Sequence, residues 1–271
     1  MFIISGFGDE ISPDLDLQLE ALKGMSIDFL ELRGAWGKSV LDFSDQELER
    51  VKQALRERGM SVSSLASPIG KVPIDGPWQP HFEDFLRILQ MAEYLETGYV
   101  RVFSFYIPEG RHADYRSEVL RRLEAMTGAV EGRPLTLLHE NESHIYGDIP
   151  ERAADILRTI DSPKLRAVYD PSNYIQVGVE RPFDQAWPLL GEYVQYVHVK
   201  DAKADSKVVV PAGEGDGQVR ELLQALKARG DDHFLSLEPH LVFTGTYTGF
   251  TGEELFRQAL SALQRLLETL G

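Results

Sequence analysis

The sequence predicts one α/β domain, a (β/α)8 TIM barrel spanning residues 1–271. Three observations carry this expectation. Short apolar runs alternate with amphipathic helical segments eight times, in units of ~30–35 residues. No linker or low-complexity segment separates the units. Several apolar runs stop abruptly on a carboxylate or imidazole, as strands do when their C-terminal ends deliver side chains into a barrel mouth. The competing open doubly wound sheet needs a Gly-rich phosphate turn after its first strand, and Gly6-Phe-Gly-Asp-Glu10 does not have that form.

The elements follow in order. Residues 2–5 form the first strand; Ser12 caps a helix with Pro13 at its first position, apolar at Leu15, Leu19 and Leu22, with Gly24 past its end. The second strand is Ile27–Leu32, and Ser44 with Glu47 makes a capping box for a helix with Leu48, Val51 and Leu55 on one face and Gly59 as its stop. Strand Ser61–Ala66 leads through a Pro/Gly-rich loop to a helix carrying Phe82, Phe85, Leu89 and Ala92. Strand Tyr99–Phe105 precedes a helix from about Asp114 to Val130. The fifth strand is Leu135-Thr-Leu-Leu-His-Glu-Asn141, followed by a helix capped by Asp148 and Glu151. The sixth ends at Asp170, before a helix over about Phe183–Leu190 interrupted by Pro188. The seventh ends near Lys200, before a helix with Val219, Leu222 and Leu226 ahead of Gly230. The eighth ends at Glu238, and Thr251 with Glu254 boxes a last helix whose face is Phe256, Leu260, Leu263 and Leu267.

Composition removes several function classes. A formal net charge of -15 leaves too few cations to replace phosphate counterions, so nucleic acid and anionic membrane surfaces are not expected partners. There is no cysteine, hence no disulfide or thiolate chemistry. Met1-Phe-Ile-Ile lacks the basic start of a signal peptide, and no apolar run approaches the ~20 residues of a membrane span. A cytoplasmic enzyme is expected.

Four strand ends then converge on Glu140, Asp170, His198 and Glu238. Individually, each would pass as a helix cap or a partner for a basic neighbour. Together, three carboxylates at one barrel mouth repel unless a cation holds them, which points to one divalent metal ion. Carboxylate-rich ligation with a single imidazole suits Mn2+ first, and also Mg2+, Co2+ or Zn2+. Lys200 shares the face of His198 by strand alternation, where it can hold a substrate oxygen or sit as a surface lysine past the strand end. Arg101 and Arg33 are charges within or at the end of apolar strands, placed to bind an anionic substrate or to pair with barrel acids such as Glu31. His139 should point away from the site, in a packing role. His144 and His240 lie in loops at the functional face, as candidates for substrate contact. Phe7, Trp36 and Tyr106 could wall a sugar ring or simply pack. Gly213-Glu-Gly-Asp-Gly217 is too acidic for a phosphate cradle and is expected to lead into the next helix.

The ordered motifs Glu140, Asp170-Pro-Ser-Asn173, His198-Val-Lys-Asp201, Pro211-Ala-Gly-Glu-Gly and Ser236-Leu-Glu-Pro-His240 resemble the sugar-phosphate isomerase/epimerase superfamily. These are xylose isomerase-like barrels that include ketose 3-epimerases, inosose dehydratases and endonuclease IV. The resemblance covers nearly the whole chain. It implies one divalent ion on Glu140, Asp170, His198 and Glu238, with the two glutamates also acting as an acid/base pair. It departs from the ketose 3-epimerases at Asn173 and Ala204, where those enzymes usually carry His and Arg, and this weighs against a plain D-tagatose- or D-psicose-type activity. The extra histidines of the endonuclease IV three-metal site are missing from the ends of strands 3 and 4.

The function expected is a metal-dependent isomerase or epimerase of a small sugar, ketose or inositol-like substrate, working through an enediolate, with Lys200, Asn173, Arg101 and His240 binding substrate. A dehydratase or lyase of a keto-polyol shares the same early chemistry, and a sugar-binding barrel is the non-enzyme alternative. Assembly into a homo-oligomer is left open, and the loop Phe243–Phe250 could serve a partner or act as a lid.

Overall fold

The structure, a computed structural model, describes residues 1–241 and 251–270. Eight parallel strands close into a barrel: β1 (Phe2–Phe7), β2 (Phe29–Leu32), β3 (Ser61–Leu65), β4 (Tyr99–Val102), β5 (Thr136–Glu140), β6 (Leu165–Tyr169), β7 (Val194–Val199) and β8 (His233–Leu237). Each strand pairs with its neighbours in sequence, and β1 closes the circle against β8 with Ile3 opposite Phe234 and Ser5 opposite Ser236. The helices are α1 (Leu15–Gly24), α2 (Asp45–Arg58), α3 (Trp78–Tyr94), α4 (His112–Ala129), α5 (Pro150–Ile160), α6 (Pro171–Gln176), α7 (Pro182–Leu190), α8 (Val219–Arg229) and α9 (Glu253–Glu268). Among the described residues no helix is long and apolar enough to cross a membrane.

The pleat sorts the side chains into two layers. Odd-numbered apolar residues of β5 to β8, such as Leu137, Ala167, Val197 and Leu235, join the large core between strands and helices. Leu138, Val168 and Tyr196 form a second, separate cluster, with Tyr99 and Phe234 packed against it. That plug fills the barrel interior, and one pleat step further along the same strands come Glu140, Asp170, His198 and Ser236.

Several local expectations hold, and several are corrected. The α2 capping box is present, with Ser44 and Glu47 bonded reciprocally and Gly59 left-handed at the end. By contrast α1 is capped by Asp14 rather than Ser12, because the Asp14 side chain accepts from the Leu17 N–H. Neither Asp148 nor Thr251 caps its helix. Arg152 binds the Asp148 carboxylate, and the Thr251 hydroxyl donates to buried Glu10 instead. Helix α6 was not anticipated; it starts directly on Asp170, whose side chain accepts from the Asn173 N–H at 2.8 Å. The loop Phe243–Phe250 lies outside the described residues.

One glycine holds the loop after β3 against the end of β4. Gly70 has φ +92°, and a Cβ there would lie 2.0 Å from the Phe103 carbonyl oxygen, a backbone atom that cannot turn aside. Gly70→Ala should therefore cost ~3 kcal/mol in urea unfolding. Gly37→Ala, at φ +72° with nothing within 4 Å, should cost only ~1 kcal/mol. Equal losses would show that the close approach to Phe103 is not what the loop depends on.

Candidate metal centre

The site is assembled from strand ends. Glu140 is the last residue of β5, Asp170 and Glu238 each follow their strand by one residue, and His198 is the penultimate residue of β7. Register places Ser236 opposite His198, so Glu238 stands one pleat beyond the imidazole on the neighbouring strand. All four are buried, and one ligand-type atom from each lies within 4.8 Å of the others. The Nδ1 of His198 is 3.1 Å from Glu140 Oε1 and 3.7 Å from Glu238 Oε2.

Cations close around these acids. Lys200 Nζ sits 2.8 Å from Asp170 Oδ2 and donates to Glu238 Oε2 at 3.0 Å. Arg101 Nη1 is 3.1 Å from Glu140 Oε2, and its Nη2 donates to the Ala66 carbonyl at 3.1 Å. Arg33 donates to Asp9, Glu10 and Glu238 at 2.7, 2.8 and 2.7 Å. His240 Nε2 lies 3.0 Å from Glu10 and 3.3 Å from Glu238. Phe7 lies beneath them, with the Arg33 guanidinium 4.7 Å and the Arg101 guanidinium 5.6 Å from its ring centre and the His198 ring edge-on at 5.1 Å.

Titration follows from this packing. Burial is the largest influence on every member and disfavours each charge. For Glu140, His198 and Arg101 overcome it and bring the pKa down to about 2. Glu238 falls well below its ordinary value through Lys200 and His240. Asp170 goes the other way, up to about 6, because burial and the like charges of Glu238 and Glu140 outweigh Lys200. His198 rises to about 10, since Glu140 and Glu31 outweigh its burial.

The donor set fits a divalent ion. Glu140 Oε2, Asp170 Oδ2 and His198 Nδ1 are buried and make no aligned hydrogen bond, although charged groups lie close to all three. Glu10, Glu238 and His240 form a second such group, but Arg33 already supplies its cation.

The remaining candidates are placed as follows. Asn173 Nδ2 donates to Glu140 Oε1 and to the Asn141 carbonyl at 3.1 and 2.9 Å, so its amide hydrogens orient the Glu140 carboxylate. A cleft of ≈ 430 Å³ opens over the cluster, bordered by Arg33, Lys71, Glu142, Asn173, Lys200 and His240 among others. His139 faces away and is buried against Gly147, its pKa lowered to about 4 by burial. His144, Trp36 and Tyr106 are not among the described residues bordering the cleft.

Glu31 meets His198 instead of Arg33 or Arg101, the partners its sequence context suggested. Its Oε1 is 3.2 Å from His198 Nε2, while its Oε2 accepts from the Tyr196 hydroxyl at 2.9 Å, and Tyr196 continues to Ser63 at 2.9 Å. With Nε2–H given to Glu31, Nδ1 is the ring nitrogen left to face the other carboxylates. The signal was present as a lone acid inside Phe29-Leu-Glu-Leu32, whose alternation turns Glu31 into the barrel. Asp9 and Glu10, which hold Arg33, gave no comparable signal from their short turn after β1.

The raised His198 pKa makes a signed prediction. In chelator-treated protein the ring is protonated at pH 8, so its stabilising contribution is full below about 6.5 and is lost as pH rises through about 10. A metal on Nδ1 must displace that proton. Adding Zn2+ at pH 8 should therefore release about one proton per chain in a pH-stat. Uptake of metal without proton release would place it away from His198.

Comparison with known proteins agrees with this architecture. Residues 19–267 match the family model described as a xylose isomerase-like TIM barrel. No curated protein matches the chain. Among solved structures, a D-tagatose 3-epimerase-like protein superposes with a TM-score of 0.76 at 18% identity, covering 99% of this chain and 98% of its own. The IOLI protein with a bound zinc atom gives 0.78 at 16% identity, covering 99% of each chain. The probable 3-DHS dehydratase AsbF from Bacillus anthracis gives 0.74 at 18% identity, covering 97% of this chain and 98% of that one. At these identities the likeness to the solved structures is one of fold. The family match extends over most of the sequence, and the chain belongs to the xylose isomerase-like TIM barrel family.

Proposed function

We propose that the chain, acting as one domain over residues 1–271, is a divalent-metal-dependent isomerase or epimerase of a small sugar, ketose or inositol-like substrate. The observation that carries this reading is the buried convergence of Glu140, Asp170, His198 and Glu238 below an open polar cleft. Mn2+ suits this donor set best, with Mg2+, Co2+ or Zn2+ as alternatives. Zinc in the IOLI structure is in keeping with the class of ion. When bound, the ion would supply positive charge beside two adjacent substrate oxygens and so acidify the C–H between them.

The protein's own groups divide the remaining work. Glu140 and Glu238 lie at the ends of β5 and β8, with β6 and β7 between them in the barrel. They are thus placed to reach opposite sides of a substrate carbon, one removing a proton and the other returning one. Asp170 and His198 act as ligands alone. Lys200 and Arg101, already bonded to the ligand carboxylates, would hold substrate oxygens and keep both glutamates ionised. His240 and Asn173 complete the binding set at the rim. The reaction needs neither nucleic acid nor a membrane, in keeping with a cytoplasmic enzyme.

A dehydratase or lyase of a keto-polyol is the second reading, since it begins with the same proton abstraction; the structural likeness to a probable dehydratase favours keeping it. One experiment separates these outcomes: incubation with ketoses and keto-inositols in D2O with Mn2+, followed by NMR. Deuterium at a carbon of the product, with the substrate formula retained, is expected for isomerase or epimerase; loss of water identifies the dehydratase. No exchange with any ketose or keto-inositol, in metal-loaded protein, would contradict both.

Glu140→Gln and Glu238→Gln should each retain most of the metal while losing turnover by ~10²-fold or more. If the glutamates work on opposite faces, one variant should still exchange substrate hydrogen with solvent without forming product. Near-wild-type turnover in either metal-loaded variant would remove that glutamate from proton transfer.

A further inference from the structure

Immediately after the candidate ligand strand β7, the chain buries a carboxylate that takes no part in the cluster. Asp201 is fully buried, and its two oxygens accept four backbone N–H groups. Oδ1 accepts from Ala202 and Gly217 at 2.9 Å each, and Oδ2 from Gly213 at 2.9 Å and Gly215 at 3.0 Å. Burial raises the carboxyl pKa, and the four N–H groups oppose that rise. Because every oxygen faces donors only, the arrangement is that of an anion in a backbone nest.

The glycines of the Gly213–Gly217 loop make the nest possible. A Cβ on Gly215 would lie 2.2 Å from Asp201 Oδ1, and one on Gly217 would lie 2.7 Å from the same oxygen and 3.0 Å from Pro171 Cβ. The loop is thus seated at once on Asp201 and on the residue after Asp170. The segment Asp201–Ala202 also pairs antiparallel with Val209–Val210, and Val209 borders the cleft. Its chain neighbour Lys200 bridges Asp170 and Glu238.

We propose that Asp201 is an internal anion that fills this nest and, by fixing the end of β7, positions Lys200 between Asp170 and Glu238. The loop rich in glycine after β7 has the backbone of an anion site, and the chain's own carboxylate occupies it. What Lys200 then does to substrate rests on the function proposed above; the nest and the placement of Lys200 do not.

Asp201→Gly removes the carboxylate and leaves the N–H groups, so a small carboxylate should take its place. A groove of ≈ 370 Å³ reaches Asp201 between Arg181 and Arg220, with Glu180, Asp216 and Glu221 also on its border. The probe is sodium formate, compared with sodium chloride at equal ionic strength. Formate should raise the thermal midpoint of Asp201→Gly saturably, with half-saturation at roughly millimolar to tens of millimolar, and should leave wild type unchanged. In crystals of the variant, formate should lie on the Gly213, Gly215 and Gly217 N–H groups with Lys200 back between Asp170 and Glu238, whereas without formate Lys200 should leave that position.

If Asp201→Gly folds only in formate, the formate dependence of refolding gives the same reading. Asp201→Asn, which presents an NH2 to N–H donors, should be destabilised and should not respond. Equal responses of wild type and Asp201→Gly to formate and chloride would overturn the nest. Lys200 unmoved in formate-free Asp201→Gly would overturn its positioning role. A failure of the sugar assay with both formate results intact would count against the proposed function alone.

Discussion

Everything at the barrel mouth answers to one electrostatic constraint: too many carboxylates are buried there for water to solvate. Glu10, Glu31, Glu140, Asp170 and Glu238 are all buried, and the permanent cations among them are Arg33, Arg101 and Lys200. Five acids against three permanent cations leave two negative charges, which the imidazolium forms of His198 and His240 offset in the ion-free protein and which a divalent ion displacing the His198 proton would take over. Unbalanced burial of that kind would cost several kcal/mol per charge. The split behaviour of the acids follows from the same imbalance. Glu140 and Glu238 are held ionised by the cations around them, while for Asp170 burial and the charges of both glutamates outweigh Lys200 at 2.8 Å and push the pKa up to about 6.

The scaffold meets this constraint by using the pleat of the strands. On each of β5 to β8 the inward residue below the site is large and apolar or aromatic (Leu138, Val168, Tyr196, Phe234), and the plug they form excludes water from beneath the cluster. Around it, hydrogen bonds to neighbouring side chains fix the orientation of the cluster residues. Glu31 and Tyr196 hold the His198 ring, and Asn173 ties Glu140 to the Asn141 carbonyl. Asp201 and its loop carry the same logic outward to Lys200. Rigid positioning of this kind is what lets a few side chains act on a substrate without a large rearrangement.

Much of this was legible in the sequence, for physical reasons that differ by residue. Glu140, Asp170, His198 and Glu238 stand out because a buried parallel strand is an unbroken apolar run, so a charge at its end marks the place where the barrel opens. Lys200 followed from period-2 alternation with His198. The partners of Arg33 were not legible, since Asp9 and Glu10 lie in a short 3-10 turn after β1 and reach Arg33 only once β1 and β2 pair. Capping signals failed where another partner took the side chain: Arg152, four residues on in the helix itself, binds Asp148, and the distant Glu10 binds Thr251. Helix α6 escaped because six residues are too few for a periodic pattern. The role of Asp201 depends on four N–H groups that meet only in three dimensions, three of them on residues 213 to 217.

The most direct test of a charge-balancing ion in this cluster is anomalous diffraction from a crystal grown with Mn2+, with data on both sides of the manganese absorption edge. One anomalous peak per chain is expected, ~2.0–2.3 Å from a carboxylate oxygen of Glu140, Asp170 and Glu238 and from His198 Nδ1. A peak seated instead between Glu10, Glu238 and His240, or no peak in crystals whose solution binds Mn2+, would contradict the account.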